Sequence, residues 1–201
     1  MKMLQSENTK SADMIFCSYG FRSPVIGAKL AKVIERCENK TCVIIPFAGF
    51  DPEKTANLEK EALVSFGFLP QNITCADDMI GTPDYIYIPG GDPFKLLQEL
   101  KERDLLKKIK NAVNNGATFI GVSAGAYIAT SNIGYVENLE DNNYSDGDLS
   151  ALNLISENII CHYDHYSYEQ YKACTKNGNK LVIAINDSDL AVLRNGKWKI
   201  L

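Results

Sequence analysis

Histidine is scarce in this chain: His162 and His165 are the whole supply. Any imidazole chemistry must run through that one short stretch. Arginine is nearly as rare, with Arg22, Arg36, Arg103 and Arg194 alone. The net charge of −4 argues against a nucleic-acid surface. No apolar run approaches the roughly 18–20 residues needed to cross a bilayer. The polar opening, Met1 to Asn8, lacks the apolar segment of a secretion signal. No Cys-x-x-Cys occurs among the six cysteines, Cys17, Cys37, Cys42, Cys75, Cys161 and Cys174. They are scattered, several inside apolar runs. They read as reduced core thiols of a cytoplasmic protein, not as a disulfide frame or a zinc site. There is no internal repeat, low-complexity tract or clear linker.

What is present is an ordinary globular composition, 45% hydrophobic and 23% charged over 201 residues. That length predicts a single domain over 1–201, with residues 1–12 as a loose lead-in. Apolar strands are expected at Met14–Tyr19, Thr41–Pro46, Ile73–Cys75 and Tyr85–Ile88. Helical spacing covers Ser23–Cys37, and Asp51-Pro52 caps a helix to about Phe66, closed by Gly67. Asp92-Pro93 repeats the cap signal, and a further helix runs from Leu105 to Val113. Helices alternating with near-continuous apolar strands predict an α/β fold: a mostly parallel sheet with helices on both faces. Residues 137–150 are acidic and polar and read as a surface loop that flanks a pocket. Strand character returns at Asn158–Cys161, followed by a helix with Tyr168, Tyr171 and Cys174 on one face. Three short strands close the chain, the last two joined by an Asn195-Gly196 hairpin turn.

The centre of this pattern is Thr118–Ala126. An apolar strand stops at Ser123, and a helix rich in small residues follows. Gly121 and Gly125 flank the serine at two residues' distance. A nucleophile on a strand-to-helix turn needs small residues there, because strand and helix nearly touch. Free N–H groups at the start of the helix suit a developing oxyanion. A plain βα turn packed with glycines would show the same five residues, so partners are required.

Serine needs a base, usually histidine. His162 immediately follows an apolar strand and is preferred; His165, near the start of a helix, reads as a surface side chain. A metal reading of His162-x-x-His165 is weaker, since zinc wants further ligands at recognisable spacing. For the orienting acid, Asp187 lies at the end of a late strand that would neighbour the His162 strand. Asn186, Asp189 and Asp164 remain open alternatives. Gly90-Gly91, after a buried strand, offers a second oxyanion donor. A phosphate cradle is the competing use, but no Lys-Ser/Thr follows.

Together these stretches resemble the dipeptidase E family of serine peptidases, which includes the cyanophycinases. The matching segments are Ile88–Leu97, Gly121–Ala126, Cys161–Asp164 and Ile185–Val192, in the family's order, covering most of the chain from about residue 41. The resemblance implies a fold related to class I glutamine amidotransferase domains, with serine where those use cysteine. It implies Ser123 as nucleophile, His162 as base and then acid, Asp187 as third member, and Gly91 and Ala124 as oxyanion donors. The order Ser–His–acid differs from the Ser–acid–His of α/β-hydrolases, which would press Asp146 or Asp148 into service. Cys161 stands where the family commonly has proline, and Asp187 where it often has glutamate. Dipeptidase E prefers an N-terminal aspartate, which calls for a cation near the site; no Arg or Lys follows His162 closely.

The expected function is a cytoplasmic serine peptidase or dipeptidase. It would hydrolyse small peptides or amides through an acyl-enzyme, and the resemblance implies a preference for an N-terminal aspartate. No cofactor or metal, nucleic-acid partner or membrane partner is expected, and a homodimer through an exposed sheet edge is compatible with such a fold. The alternative is a non-catalytic ligand-binding or regulatory domain of the same fold.

Overall fold

A computed structural model describes residues 13–34, 37–76, 81–144, 147–176 and 180–201. The expected lead-in 1–12 and Asp146 lie outside the described residues. The strands are β1 (Met14–Cys17), β2 (Cys42–Ile44), β3 (Ile73–Cys75), β4 (Tyr85–Ile88), β5 (Thr118–Val122), β6 (Asn158–Ile160), β7 (Val182–Ala184), β8 (Leu190–Arg194) and β9 (Lys197–Ile200). The helices are α1 (Pro24–Leu30), α2 (Pro52–Phe66), α3 (Pro93–Glu102), α4 (Leu105–Asn114), α5 (Ala124–Ile128) and α6 (Tyr168–Lys176). Seven strands form one sheet in the order β3-β2-β4-β5-β1-β8-β9. The first five are mutually parallel; β8 runs antiparallel to β1, and β9 antiparallel to β8.

Both faces of this sheet are buried, which is why its strands read as unbroken apolar runs. Successive residues point to opposite faces. Phe16, Val43, Ile86, Ile88 and Phe119 join the core beneath α3, α4 and α5. Ile15, Cys17, Ile44, Tyr87, Ile120 and Val122 join the one beneath α1 and α2. The caps form as their residue types require. Asp51 accepts from Lys54 N–H at 3.0 Å, and Asp92 accepts from Phe94 and Lys95 N–H at 2.9 and 3.0 Å. Asn195 and Gly196 take φ of 51° and 71°, the paired left-handed values a two-residue hairpin needs.

Three expectations are corrected. The helix read over Ser23–Cys37 ends at Leu30, where Lys32 and Val33 N–H turn to carbonyls three residues back. Its inward residues Ile26, Leu30 and Ile34 are still buried. The described part of the segment 137–150 is largely exposed, as a surface loop should be, but the pocket it was expected to flank is not the one at Ser123. None of the loop's described residues lines the cavity around Ser123. Lastly, β6 and β7 are not strands of the main sheet but pair in parallel as a separate two-stranded sheet.

A buried hydroxyl helps to fasten that small sheet to the large one. Ser18, just past β1 and 2% exposed, accepts from His162 N–H at 2.8 Å. Its Oγ also lies 3.1 Å from the Ile185 carbonyl and 3.2 Å from that of Asn186. The loops after β6 and β7 are thereby held against the C-terminal end of β1, beside β5. No helix among the described residues is long and apolar enough to cross a membrane.

Candidate active site

Ser123 sits where β5 gives way to α5. Its N–H still donates to Cys17 O at 2.9 Å, continuing the strand pairing. Its φ of 48° and ψ of −109° then turn the chain sharply. Among the described residues, the other positive-φ residues that are not glycine are Asp104, Asn153, Asn195 and His162. Asp, Asn and His tolerate the left-handed well, but the ψ of Ser123 lies outside it. This serine is held in a strained conformation by its surroundings.

The neighbouring glycines show how tight those surroundings are. A Cβ on Gly121 would lie 2.6 Å from Gly125 O, and one on Gly125 would lie 2.2 Å from Ile88 O. Strand and helix touch backbone to backbone, as the spacing demanded. Gly90 brings β4's end to within van der Waals reach of Ser123. Gly91 takes φ of 145° and leaves no room for a side chain, since a Cβ would meet Ala48 O at 2.2 Å. Among the described residues, no acceptor takes the N–H of Gly91 or of Ala124.

His162 and Asp187 arrive from the small sheet. His162 Nδ1 lies 2.6 Å from Asp187 Oδ1, and its Nε2 lies 3.3 Å from Ser123 Oγ. An ionised carboxylate only accepts, so Nδ1 carries the ring proton and Nε2 is left to accept from the serine. The Tyr19 ring packs edge-on against the imidazole, with centroids 5.1 Å apart. Of the alternative acids, Asp189 bonds Asn186 Nδ2 at 2.9 Å, and Asp164 accepts from Asp187 N–H at 3.3 Å. His165 is exposed, as expected of a surface histidine, yet its Nε2 lies 2.7 Å from Asp187 Oδ2. One carboxylate therefore holds two imidazoles. Asp164, His165 and Asp187 also bring ligand atoms within 4.8 Å of one another, with Asp164 and His165 exposed, as polar surface groups commonly are. The neighbouring thiols of Cys17 and Cys161 are pushed far up by burial and stay protonated.

Several residues here carry no local mark in the sequence. A cavity of about 490 Å³ opens beside Ser123 and His162, and Ser18, Tyr19, Arg22, Glu59 and Tyr87 help to line it. Ser18 and Tyr19 follow the C-terminal end of β1, the edge where ligands bind open α/β sheets, and that position was the available signal. Glu59 also had one. It shares the inward stripe of α2 with Ala56 and Leu63, so a charged residue stands where an apolar one is the rule. Tyr87 Oη donates to Glu59 Oε2 at 2.7 Å. Burial raises the Glu59 carboxyl above its ordinary value, against the opposing pull of Tyr87 and Arg22. Arg22 places a guanidinium on the cavity wall, where the stretch after His162 has no nearby cation.

The model of Peptidase family S51 matches residues 22–201. The chain belongs to peptidase family S51. An S51 chain of this kind is 31% identical over 173 residues to an uncharacterized peptidase of Listeria monocytogenes, covering 80% of this chain and 84% of that one. It is 32% identical over 169 residues to peptidase E of Salmonella newport, covering 79% and 72% of the two chains. The fold is shared with a candidate peptidase E protein of Listeria monocytogenes, at a TM-score of 0.76 and 23% identity over 94% of this chain and 98% of that one. It is also shared with a peptidase from an acI-B1 actinobacterium, at 0.71 and 17% over 96% and 88%. Membership makes the protein a peptidase, a hydrolase of the peptide bond.

Proposed function

We propose that this S51 peptidase is a serine-type enzyme that cleaves small peptides through an acyl-enzyme. The observation that carries the reading is the run of contacts from Ser123 Oγ to His162 Nε2 at 3.3 Å and from His162 Nδ1 to Asp187 at 2.6 Å. Ser123 Oγ attacks the scissile carbonyl while His162 Nε2 takes its proton. Asp187 fixes the imidazole's tautomer and stabilises the imidazolium. The carbonyl oxygen becomes an oxyanion, which the N–H groups of Gly91 and Ala124 receive. Collapse breaks the C–N bond, and His162 returns the proton to the leaving amine. Water, deprotonated by the same nitrogen, then releases the acid and restores Ser123.

The cavity beside the serine has the volume of a small-ligand site, which supports short substrates of dipeptide size. Arg22 on its wall supports a preference for an N-terminal aspartate, the trait of dipeptidase E. The buried thiols of Cys17, Cys42, Cys161 and Cys174 support a cytoplasmic setting. A non-catalytic domain of the same fold would gain nothing from a strained serine aimed at an imidazole, so the catalytic reading is preferred.

The test is labelling with a fluorophosphonate probe together with hydrolysis of a dipeptide library. Wild type should label and Ser123→Ala should not. Aspartyl dipeptides should outpace those with neutral N-terminal residues. A wild-type protein that never labels when folded, or a Ser123→Ala protein that still does, overturns the serine mechanism.

A further inference from the structure

The cavity next to Ser123 holds a charge that the catalytic steps do not use. Glu59 reaches it from α2 with a side chain only 9% exposed. Taking a carboxylate out of water is costly, and such groups are retained where something cationic meets them. One oxygen, Oε2, is satisfied by the buried Tyr87 hydroxyl at 2.7 Å. Gly20 makes that placement possible, because a Cβ there would lie 2.3 Å from Tyr87 Oη.

The other oxygen, Oε1, faces Arg22 Nη1 across 3.8 Å, longer than a hydrogen bond. The Arg22 side chain is 59% exposed. An ion pair so open to solvent contributes little, so little holds the guanidinium in place. The pocket thus has a fixed, half-satisfied anion at its floor and a loosely held cation at its rim. A ligand ammonium can replace Arg22 at Oε1 without leaving a net buried charge, and the freed guanidinium can turn to a ligand carboxylate or to water.

Resting on the peptidase reading, we infer that Glu59 is the anchor for an ammonium group of the substrate, with Arg22 as its exchangeable stand-in. The ammonium comes either from a free N-terminus or from a lysine side chain. Both are primary ammonium groups that offer donors to Oε1.

The experiment compares Lys-Leu, norleucyl-Leu and their N-acetyl forms on wild type, Glu59→Gln and Arg22→Ala. On wild type, an ammonium-bearing substrate should exceed its uncharged counterpart at least tenfold in kcat/KM, mainly through KM. Loss on acetylation assigns the α-amine; loss on exchanging lysine for norleucine assigns the side chain. In Glu59→Gln the ratio should fall to within about twofold. Arg22→Ala, which frees Oε1, should lower KM for the ammonium substrate and keeps the inference testable if Glu59→Gln fails to fold. Titration calorimetry with n-pentylammonium against n-pentanol adds a readout that needs no turnover. No discrimination on wild type, an undiminished ratio in a folded Glu59→Gln, weaker ammonium substrates in Arg22→Ala, or a pocket indifferent to n-pentylammonium each overturns it. Failure of fluorophosphonate labelling, by contrast, strikes the serine mechanism and leaves the calorimetric result to stand on its own.

Discussion

At the N-terminal ends of β1, β4 and β5, a cleft of about 150 Å³ is lined by Asp13, Asp84, Thr118, Lys40 and Arg194. Its charges are matched at short range. Arg194 meets Asp13 at 2.6 Å and Lys40 meets Asp84 at 2.9 Å. Asp84 also accepts from the Thr41 N–H and hydroxyl at 2.9 and 3.0 Å. Burial pushes the Asp84 carboxyl up, but these bonds and Lys40 outweigh it and hold it below its ordinary range. At the C-terminal ends of the same strands the matching is loose. Ser123 is strained, Glu59 meets Arg22 only at 3.8 Å, and the N–H groups of Gly91 and Ala124 have no acceptor among the described residues. The same sheet thus has a satisfied end, whose charges are matched to one another, and an unsatisfied end, with capacity left over for a ligand.

The sharpest way to break this contrast is Ser123→Ala. It should cost at least about 10⁴-fold in kcat while leaving the melting temperature level or higher, since alanine removes no core contact. Asp187→Asn should come next, at roughly 10⁴-fold or less, because an amide no longer enforces the tautomer that leaves Nε2 free. Steady-state kinetics beside a thermal melt separates both from misfolding. Gly125→Ala tests how far the unsatisfied end depends on close backbone approach. Its Cβ would meet Ile88 O at 2.2 Å, so unfolding in urea should show a loss of about 1–3 kcal/mol, with activity falling alongside.

The satisfied end should behave oppositely. Asp84→Asn should lower stability by about 1 kcal/mol near neutral pH and leave kcat/KM within twofold. The Asp84 carboxyl is lower in the folded chain than in the unfolded one. Its contribution is therefore present above the unfolded value and fades as pH falls through the folded one. The smallest expected effect has the reverse sign. Burial first, then the charge of Asp92, raises Glu140 from 4.5 to about 7. A raised carboxyl favours the folded state while protonated. That stability is full below the unfolded value and lost as pH climbs through about 7. Glu140→Gln should thus match wild type near pH 4 and exceed it near pH 8 by on the order of 1 kcal/mol in paired urea titrations.

Residue type and spacing carried much of this into the sequence. The Gly121–Gly125 elbow, the Asp51 and Asp92 caps and the Asn195-Gly196 turn are local rules with local causes, and each is legible within a few residues. The pairing of the His162 strand with the Asp187 strand was legible too, but not its separation from the main sheet, because short apolar strands state their burial but not which sheet they join. The same limit hid the pocket. Tyr87 reads as one more apolar strand residue and Arg22 as one more surface cation, and only the folded chain sets both on Glu59. His165 was legible as exposed, but exposure alone does not show that its ring reaches the second oxygen of Asp187.

The separate β6–β7 sheet has a mechanical consequence. His162 and Asp187 ride just beyond neighbouring strands that are hydrogen-bonded to each other, whereas Ser123 rides on the large sheet. Rocking between the two bodies would stretch the Oγ–Nε2 separation, 3.3 Å here, while leaving the 2.6 Å imidazole–carboxylate link untouched. In such a motion the Ser123–His162 separation is the distance that changes, and the Ser18 hydroxyl, bonded to His162 N–H and facing the Ile185 carbonyl, is one of the contacts that restrain it.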